Sequence, residues 1–296
     1  MEFNSFEKIK EHYEYALSWL DSIQIENSKT RMGRYRNNLE KLIDIVTKKD
    51  VNKLIGSSLE YVNTLYEVND IIYIHKALES EYGDDDKIRH LLREFCKGPD
   101  SYTNENNSSS NRARNLGFEL LISAILAKAN IELMINIEAD VAATFEEQLF
   151  IFECKRPQAI RNLQKNIRKA IKQIEVISKE RQETNINGVL CIDFTKIINP
   201  EFIIPKQKDL NKVVSSIEHR LSQCLLKIRN FITDCLQDRE LFVLGTVNIV
   251  SMAEQTGDLF YYRDFAFDVF PQNEKNPSII ENLLESIRTN SEFSLN

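Results

Sequence analysis

The chain lacks any run long enough to cross a membrane: its longest apolar stretches are short pieces such as Leu120 to Ala127, whereas a spanning helix needs about 20 consecutive apolar residues. A soluble protein without a membrane partner is therefore expected. Cysteine is sparse, and Cys96, Cys154, Cys191, Cys224 and Cys235 form no CxxC pair. The four histidines, His12, His75, His90 and His219, show no metal-ligand spacing, which argues against a structural zinc site. Glycine-rich phosphate loops are missing too. Gly117 and Gly188 stand isolated and no GxxxxGK[ST] string occurs, so ATP hydrolysis by this chain is not expected. The opening MEFNSFEKIKEHYEY has no apolar signal-peptide core; with five cysteines, an odd number, it points to a reducing cytoplasm. Positive charge is also short. A formal net charge of -7 argues against coating nucleic acid through overall charge, because phosphate neutralisation needs clustered Lys and Arg. Any nucleic-acid site must be a local basic patch.

What is present is an ordinary globular composition, 42% hydrophobic and 28% charged over 296 residues, enough to bury a sizeable core without disulfides or metals. At about 150 residues per domain the length suggests roughly two units. From Ser5 to about Phe95 the pattern is helical, with Tyr13, Ala16, Leu17 and Leu20 at three- and four-residue spacing and almost no Gly or Pro. This is read as an all-helical domain over 1–98. Residues 99–110 are dense in turn formers and nearly free of apolar side chains, so burial cannot offset the entropy of ordering them, and a linker or mobile loop is expected. The second unit spans 111–296. A mostly buried helix is expected from Asn111 or Arg112 to about Asn130. A three-strand meander follows over Ile131 to Ile137, Asp140 to Phe145 and Leu149 to Glu153, with a turn at Glu146-Glu147-Gln148. Helical periodicity returns from Gln158 to about Arg181, and Val189 to Phe194 reads as a buried strand. Beyond it come a helix from Gln207 to about Arg239, strands over Leu241 to Ala253 and Leu259 to Phe270, and a closing helix over Ser278 to Arg288.

Chemistry concentrates at the end of the third strand. In Leu149-Phe150-Ile151-Phe152-Glu153-Cys154-Lys155 an acid and a lysine stand two positions apart, and the two-residue strand period turns both side chains to one face. Asp140 opens the preceding strand, so a hairpin can bring it beside Glu153, and two converging carboxylates suit a hard divalent cation. ExK occurs in this chain only at Glu153; the one DxK, Asp85-Asp86-Lys87, sits in an acidic turn after Gly83 without a strand around it.

An acid on a helix, an Asp on the next strand and ExK on the strand after it resemble the core of the PD-(D/E)xK nucleases, a family typified by restriction endonucleases. The resemblance covers roughly Asn111 to Phe194. Ala139 stands where the family name puts proline. The resemblance implies a restriction-endonuclease-like mixed sheet flanked by helices, of α+β or α/β class. It also implies a metal-dependent phosphodiesterase that uses Mg2+, with Mn2+ as a substitute, and has DNA as the expected substrate. Carried over, Glu119 assists the metal site, Asp140 and Glu153 ligate metal, Cys154 gives its backbone carbonyl and Lys155 is catalytic. Restriction, anti-phage defence or repair is the context such relatives share, an analogy only.

From Lys155 to Arg181 nine basic residues face two acidic ones, a local surplus that phosphate-backbone binding requires. Arg156, Arg161, Lys165, Arg168, Lys169 and Lys172 are the expected contacts, with Arg112 and Arg114 approaching from the other side. A solvated helix face is the plain alternative, and Glu153 with Lys155 could be a surface ion pair contributing at most about 1 kcal/mol. Two further readings compete: a nuclease-like scaffold or nucleic-acid clamp that has lost catalysis, and an interaction protein in which ExK is coincidental. The helical half is free to bind a regulatory protein, and self-association is open.

Overall fold

The computed structural model describes residues 6–100, 108–181, 186–208, 210–233, 241–254, 256–270 and 277–290. Five helices come first: α1 (Phe6–Ser22), α2 (Arg31–Thr47), α3 (Val51–Gly56), α4 (Ser58–Tyr82) and α5 (Asp86–Cys96). In α1 the residues Ile9, Tyr13, Ala16, Leu17 and Leu20 are buried, the stripe that helical periodicity calls for. The hydroxyl of Thr30 caps α2 by accepting the Met32 N–H at 3.2 Å. The central α4 is buried on nearly all sides between Tyr61 and Ile74. A sixth helix, α6 (Ser108–Lys128), leads into the sheet.

The remaining elements are β1 (Glu132–Leu133), β2 (Val141–Phe145), β3 (Gln148–Lys155), α7 (Leu163–Arg181), β4 (Ile186–Asp193), α8 (Thr195–Ile198), β5 (Lys206–Gln207), α9 (Leu210–Thr233), β6 (Leu241–Ala253), β7 (Leu259–Phe270) and α10 (Pro277–Asn290). They form a mixed α+β architecture around one seven-stranded sheet of order β1-β2-β3-β4-β6-β5, with β7 on β6. The β1-β2-β3 meander is antiparallel, β3 runs parallel to β4 and β4 to β6, and β7 returns antiparallel along β6. Strand alternation divides β3: Phe150, Phe152 and Cys154 enter the apolar cluster on the α4 and α6 side. Leu149 and Ile151 enter the cluster beneath α7 and α9.

Several expected boundaries move, each for a physical reason. The strand expected over Ile131 to Ile137 is only Glu132–Leu133, because Lys87 takes the carbonyls of Ile135 and Ile137 at 3.2 and 2.9 Å and the chain turns there. The helix expected from Gln158 begins at Leu163. Pro157, an extended Ala159 and a 3-10 turn over Ile160–Asn162 intervene. Within the expected linker, Pro99 and Asp100 are tied down, their carbonyls accepting Arg114 Nη2 at 3.0 and 3.1 Å. Ser108 already lies in α6, while 101–107 and Cys235 fall outside the described residues. One apolar cluster runs from Ile9 through Phe95 and Phe118 to Ile287, so a continuous core crosses the position where two units were expected to part. No helix among the described residues is long and apolar enough to cross a membrane.

Candidate active site

The β2-β3 hairpin builds the site. Its turn, Glu146-Glu147, has φ of 48° and 61°, and its register sets Val141 opposite Phe152. Asp140, one residue before β2, therefore lies level with Glu153. The Asp140 Oδ2 accepts the backbone N–H of Cys154 at 2.8 Å and the Lys155 ammonium at 3.0 Å. Lys155 Nζ also donates to Glu153 Oε2 at 2.7 Å. Three of the four expected catalytic residues thus share one hydrogen-bonded cluster. Side-chain exposure falls from 22% at Asp140 to 12% at Lys155 and 1% at Glu153, so these are not solvated surface ion pairs. Cys154 points the other way and pairs across the sheet with Cys191; it is buried, and burial holds its thiol well above the usual range. Only its main chain faces the site chemistry.

Burial and the crowding of carboxylates both penalise negative charge in this cluster. Burial, then the Asp140 charge, push the Glu153 carboxyl up to about 7 against the pull of Lys155. Glu119, on α6, is driven up to about 8 by burial, then by Asp140 and Glu153, with Lys155 and Lys87 opposing. Burial alone would lower Lys155, yet Asp140 and Glu153 outweigh it and the ammonium is held above its ordinary range. Three carboxylates and one lysine in a poorly hydrated site give an environment that a hard cation would relieve. Glu119 senses this cluster electrostatically but does not line the adjoining cleft. Among the described residues no group of three or more His, Cys, Asp or Glu side chains is arranged to hold a metal.

Beside the carboxylates lies a cleft of about 750 Å3, lined by Glu138, Asp140 and Glu153 on the sheet side and by Lys169, Lys172 and Val176 on α7. Leu163, Ile167, Ala170, Ile171 and Ile174 bury the opposite face of α7. At about 100° per residue, Lys165, Arg168, Lys169 and Lys172 span an arc of roughly 100°, and all four are exposed. Arg161 is exposed in the preceding turn. Of these, Lys169 and Lys172 border the cleft, and Lys165 and Arg168 extend the basic stripe along the same exposed face of α7.

Two expected contacts are elsewhere. Arg114 is 1% exposed and binds Glu67 through Nε at 2.6 Å and the Tyr35 hydroxyl through Nη2 at 3.1 Å. Arg156 is 6% exposed and binds Asp193 at 3.0 Å. Neither guanidinium can meet a substrate backbone, since burial next to a carboxylate commits both to the interior. Arg112 remains exposed and lies 3.7 Å from Glu94. Lys87, whose ammonium holds the turn that delivers Asp140, carries no signal of this role in the sequence: its DxK string has no strand around it, and the contact it makes is with backbone 48 and 50 residues away. Scans against protein-family models, curated proteins and solved structures return no match for this chain.

Proposed function

We propose that this chain is a metal-dependent nuclease of the PD-(D/E)xK type, hydrolysing phosphodiester bonds in DNA. The observation that carries the reading is the convergence of Asp140, Glu153 and Lys155 at the open end of the β2-β3 hairpin. The order α6, β1-β2-β3, α7, β4, with β3 parallel to β4, supports reading the sheet as a restriction-endonuclease-like core. The residues present fit Mg2+ or Mn2+: the oxygens of Asp140 and Glu153 and the Cys154 carbonyl are hard donors, and burial, followed by the charge of Asp140, raises the proton affinities of Glu153 and Glu119, a cost to the ionised carboxylates that a bound cation would offset. When bound, such an ion acidifies the attacking water and stabilises charge on the phosphoryl oxygens.

Hydrolysis adds water across a P–O bond, so one oxygen must lose a proton and the leaving oxygen must gain one. Lys155, kept cationic between two carboxylates, orients the water and stabilises charge as it develops. The stripe on α7 holds the phosphate backbone along the cleft and so fixes the scissile group over Asp140 and Glu153. Cys96, Cys154, Cys191 and Cys224 are free thiols, in keeping with the reducing cytoplasm we propose for it. A regulatory partner on the helical half and self-association remain part of the proposal. One observation favours a second reading, a nuclease-like clamp that binds without cutting: the Lys155 ammonium itself bridges Asp140 and Glu153, where a cation between them would sit.

The deciding experiment is cleavage of labelled linear, supercoiled and single-stranded DNA, and of RNA, with Mg2+, Mn2+ or EDTA. Metal-dependent cutting that disappears in Lys155→Ala and Asp140→Ala is the nuclease outcome. DNA binding without cutting in any metal is the clamp outcome.

A further inference from the structure

Lys87 belongs to none of the motifs behind this reading, yet it touches the turn from which Asp140 emerges. Asp85 caps α5 by accepting the N–H groups of Lys87 and Ile88 at 2.8 and 3.0 Å, which fixes the helix start and the direction in which Lys87 leaves it. From there the ammonium donates to the carbonyls of Ile135 and Ile137 at 3.2 and 2.9 Å. The turn is closed on itself by Ile137 N–H to Met134 O at 3.2 Å and Ala139 N–H to Ile137 O at 3.0 Å, and is anchored to β2 by Met134 N–H to Ala142 O at 2.8 Å. These short-range bonds give the turn its shape. The bonds from Lys87 tie it to the helical half, and charge-assisted bonds to carbonyls are among the stronger ties a side chain can make.

We propose that Lys87 is a positioning residue: through the Ile135 to Asp140 turn, α5 holds the Asp140 carboxylate where Cys154 N–H and Lys155 Nζ meet it. The helical half then supplies part of the active-site framework. A lysine that merely braced a loop would not bear on chemistry. Here the braced segment ends on a residue whose Oδ2 accepts two bonds of the site at 2.8 and 3.0 Å, so a shift of the turn moves a proposed metal ligand. The catalytic consequence rests on the nuclease reading; the consequence for the turn does not.

The test compares wild type with Lys87→Ala, Lys87→Gln and Lys87→Arg in three measurements. Amide hydrogen exchange is followed on metal-free protein, Mn2+ binding by calorimetry, and DNA cleavage as kcat and KM. Lys87→Ala should speed exchange at the Met134, Ile137 and Ala139 amides while β6 and β7 stay protected. It should also weaken Mn2+ binding by about 10 to 100-fold, the usual scale when a partner that orients a metal ligand is removed. We expect kcat to fall with KM for DNA unchanged, and Lys87→Arg to restore most of the loss. If the alanine variant also loosens β6 and β7, Lys87→Gln decides: loosening confined to the turn upholds the proposal, and general loosening or none overturns it. Unchanged turn exchange in Lys87→Ala overturns it as well. A wild type that neither binds Mn2+ nor cuts DNA sinks the nuclease reading, and the exchange result then judges Lys87 alone.

Discussion

Replacing Glu67 with alanine takes away the carboxylate that two buried guanidiniums share. Arg114 Nε lies 2.6 Å from Oε1, Arg31 Nη1 lies 3.3 Å from Oε1, and Arg31 Nη2 lies 3.2 Å from Oε2. Breaking a buried ion pair by removing one partner costs about 3–5 kcal/mol, because the remaining charge stays desolvated. Arg31 keeps its bonds to the Phe95 carbonyl at 3.0 and 2.7 Å, and Arg114 keeps its bond to the Tyr35 hydroxyl at 3.1 Å. The lower end, about 3 kcal/mol, is therefore expected for Glu67→Ala, and less for Glu67→Gln, which retains an acceptor. Against a total stability of about 5–15 kcal/mol this is a large fraction. Urea unfolding followed by Trp19 fluorescence and by circular dichroism reads it. Trp19 is the single tryptophan and sits in the helical half, whereas the dichroism reports the whole chain. The shared core predicts coincident transitions. Burial pushes the Glu67 carboxyl up, but Arg31 and Arg114 outweigh it and its net shift is downward. A depressed folded pKa means stability that is present above the unfolded carboxylate range and lost as pH falls through the folded value. The gap between wild type and Glu67→Gln should therefore shrink as the pH is lowered from about 7 towards 3. A loss below about 1 kcal/mol in Glu67→Ala, the scale of an exposed pair, would show that the pair is not desolvated, and a Trp19 transition separated from the dichroism would show that the core is not shared.

Glu153 and Glu119 are raised to about 7 and about 8 without metal, so each must lose a proton to serve a cation; Mn2+ binding measured by calorimetry should strengthen and release fewer protons as pH rises from 6 to about 8.5, and a pH-independent affinity would count against both carboxylates. Lys169→Ala and Lys172→Ala should each reduce the slope of log affinity against log salt for DNA by about one and weaken binding without regard to sequence; an unchanged slope would remove α7 from the interface. At the hairpin turn Glu147 holds a φ of 61°, a left-handed conformation that costs a residue with a side chain roughly 1–2 kcal/mol, so Glu147→Gly should raise the urea midpoint, and a lower midpoint would show that the side chain contributes more than the backbone strain costs.

Period and punctuation made much of the fold legible. Strands β6 and β7 lie at the expected Leu241–Ala253 and Leu259–Phe270, because long β-branched and aromatic runs leave little choice of structure. The meander was readable through its turn, and the ExK pair through strand alternation, which depends on neighbouring residues alone. Long-range pairing was not readable. Arg114 and Arg156 look like their exposed neighbours in the sequence, and only folding shows that their carboxylates come from 47 and 37 residues away. The shortening of β1 has the same origin, since the competing hydrogen-bond donor is a lysine on α5. Charge is a property of the sequence; whether that charge is solvated depends on the tertiary contacts.

The proposed chemistry of Asp140, Glu153 and Lys155 is put to the test by incubating the purified chain with labelled DNA and Mg2+ or Mn2+, beside Lys155→Ala and Asp140→Ala proteins shown by circular dichroism to be folded. Metal-dependent cleavage by the wild type, suppressed by EDTA and lost in both variants, is the expected result. Cleavage that persists in both folded variants would place the chemistry outside the Asp140, Glu153 and Lys155 cluster.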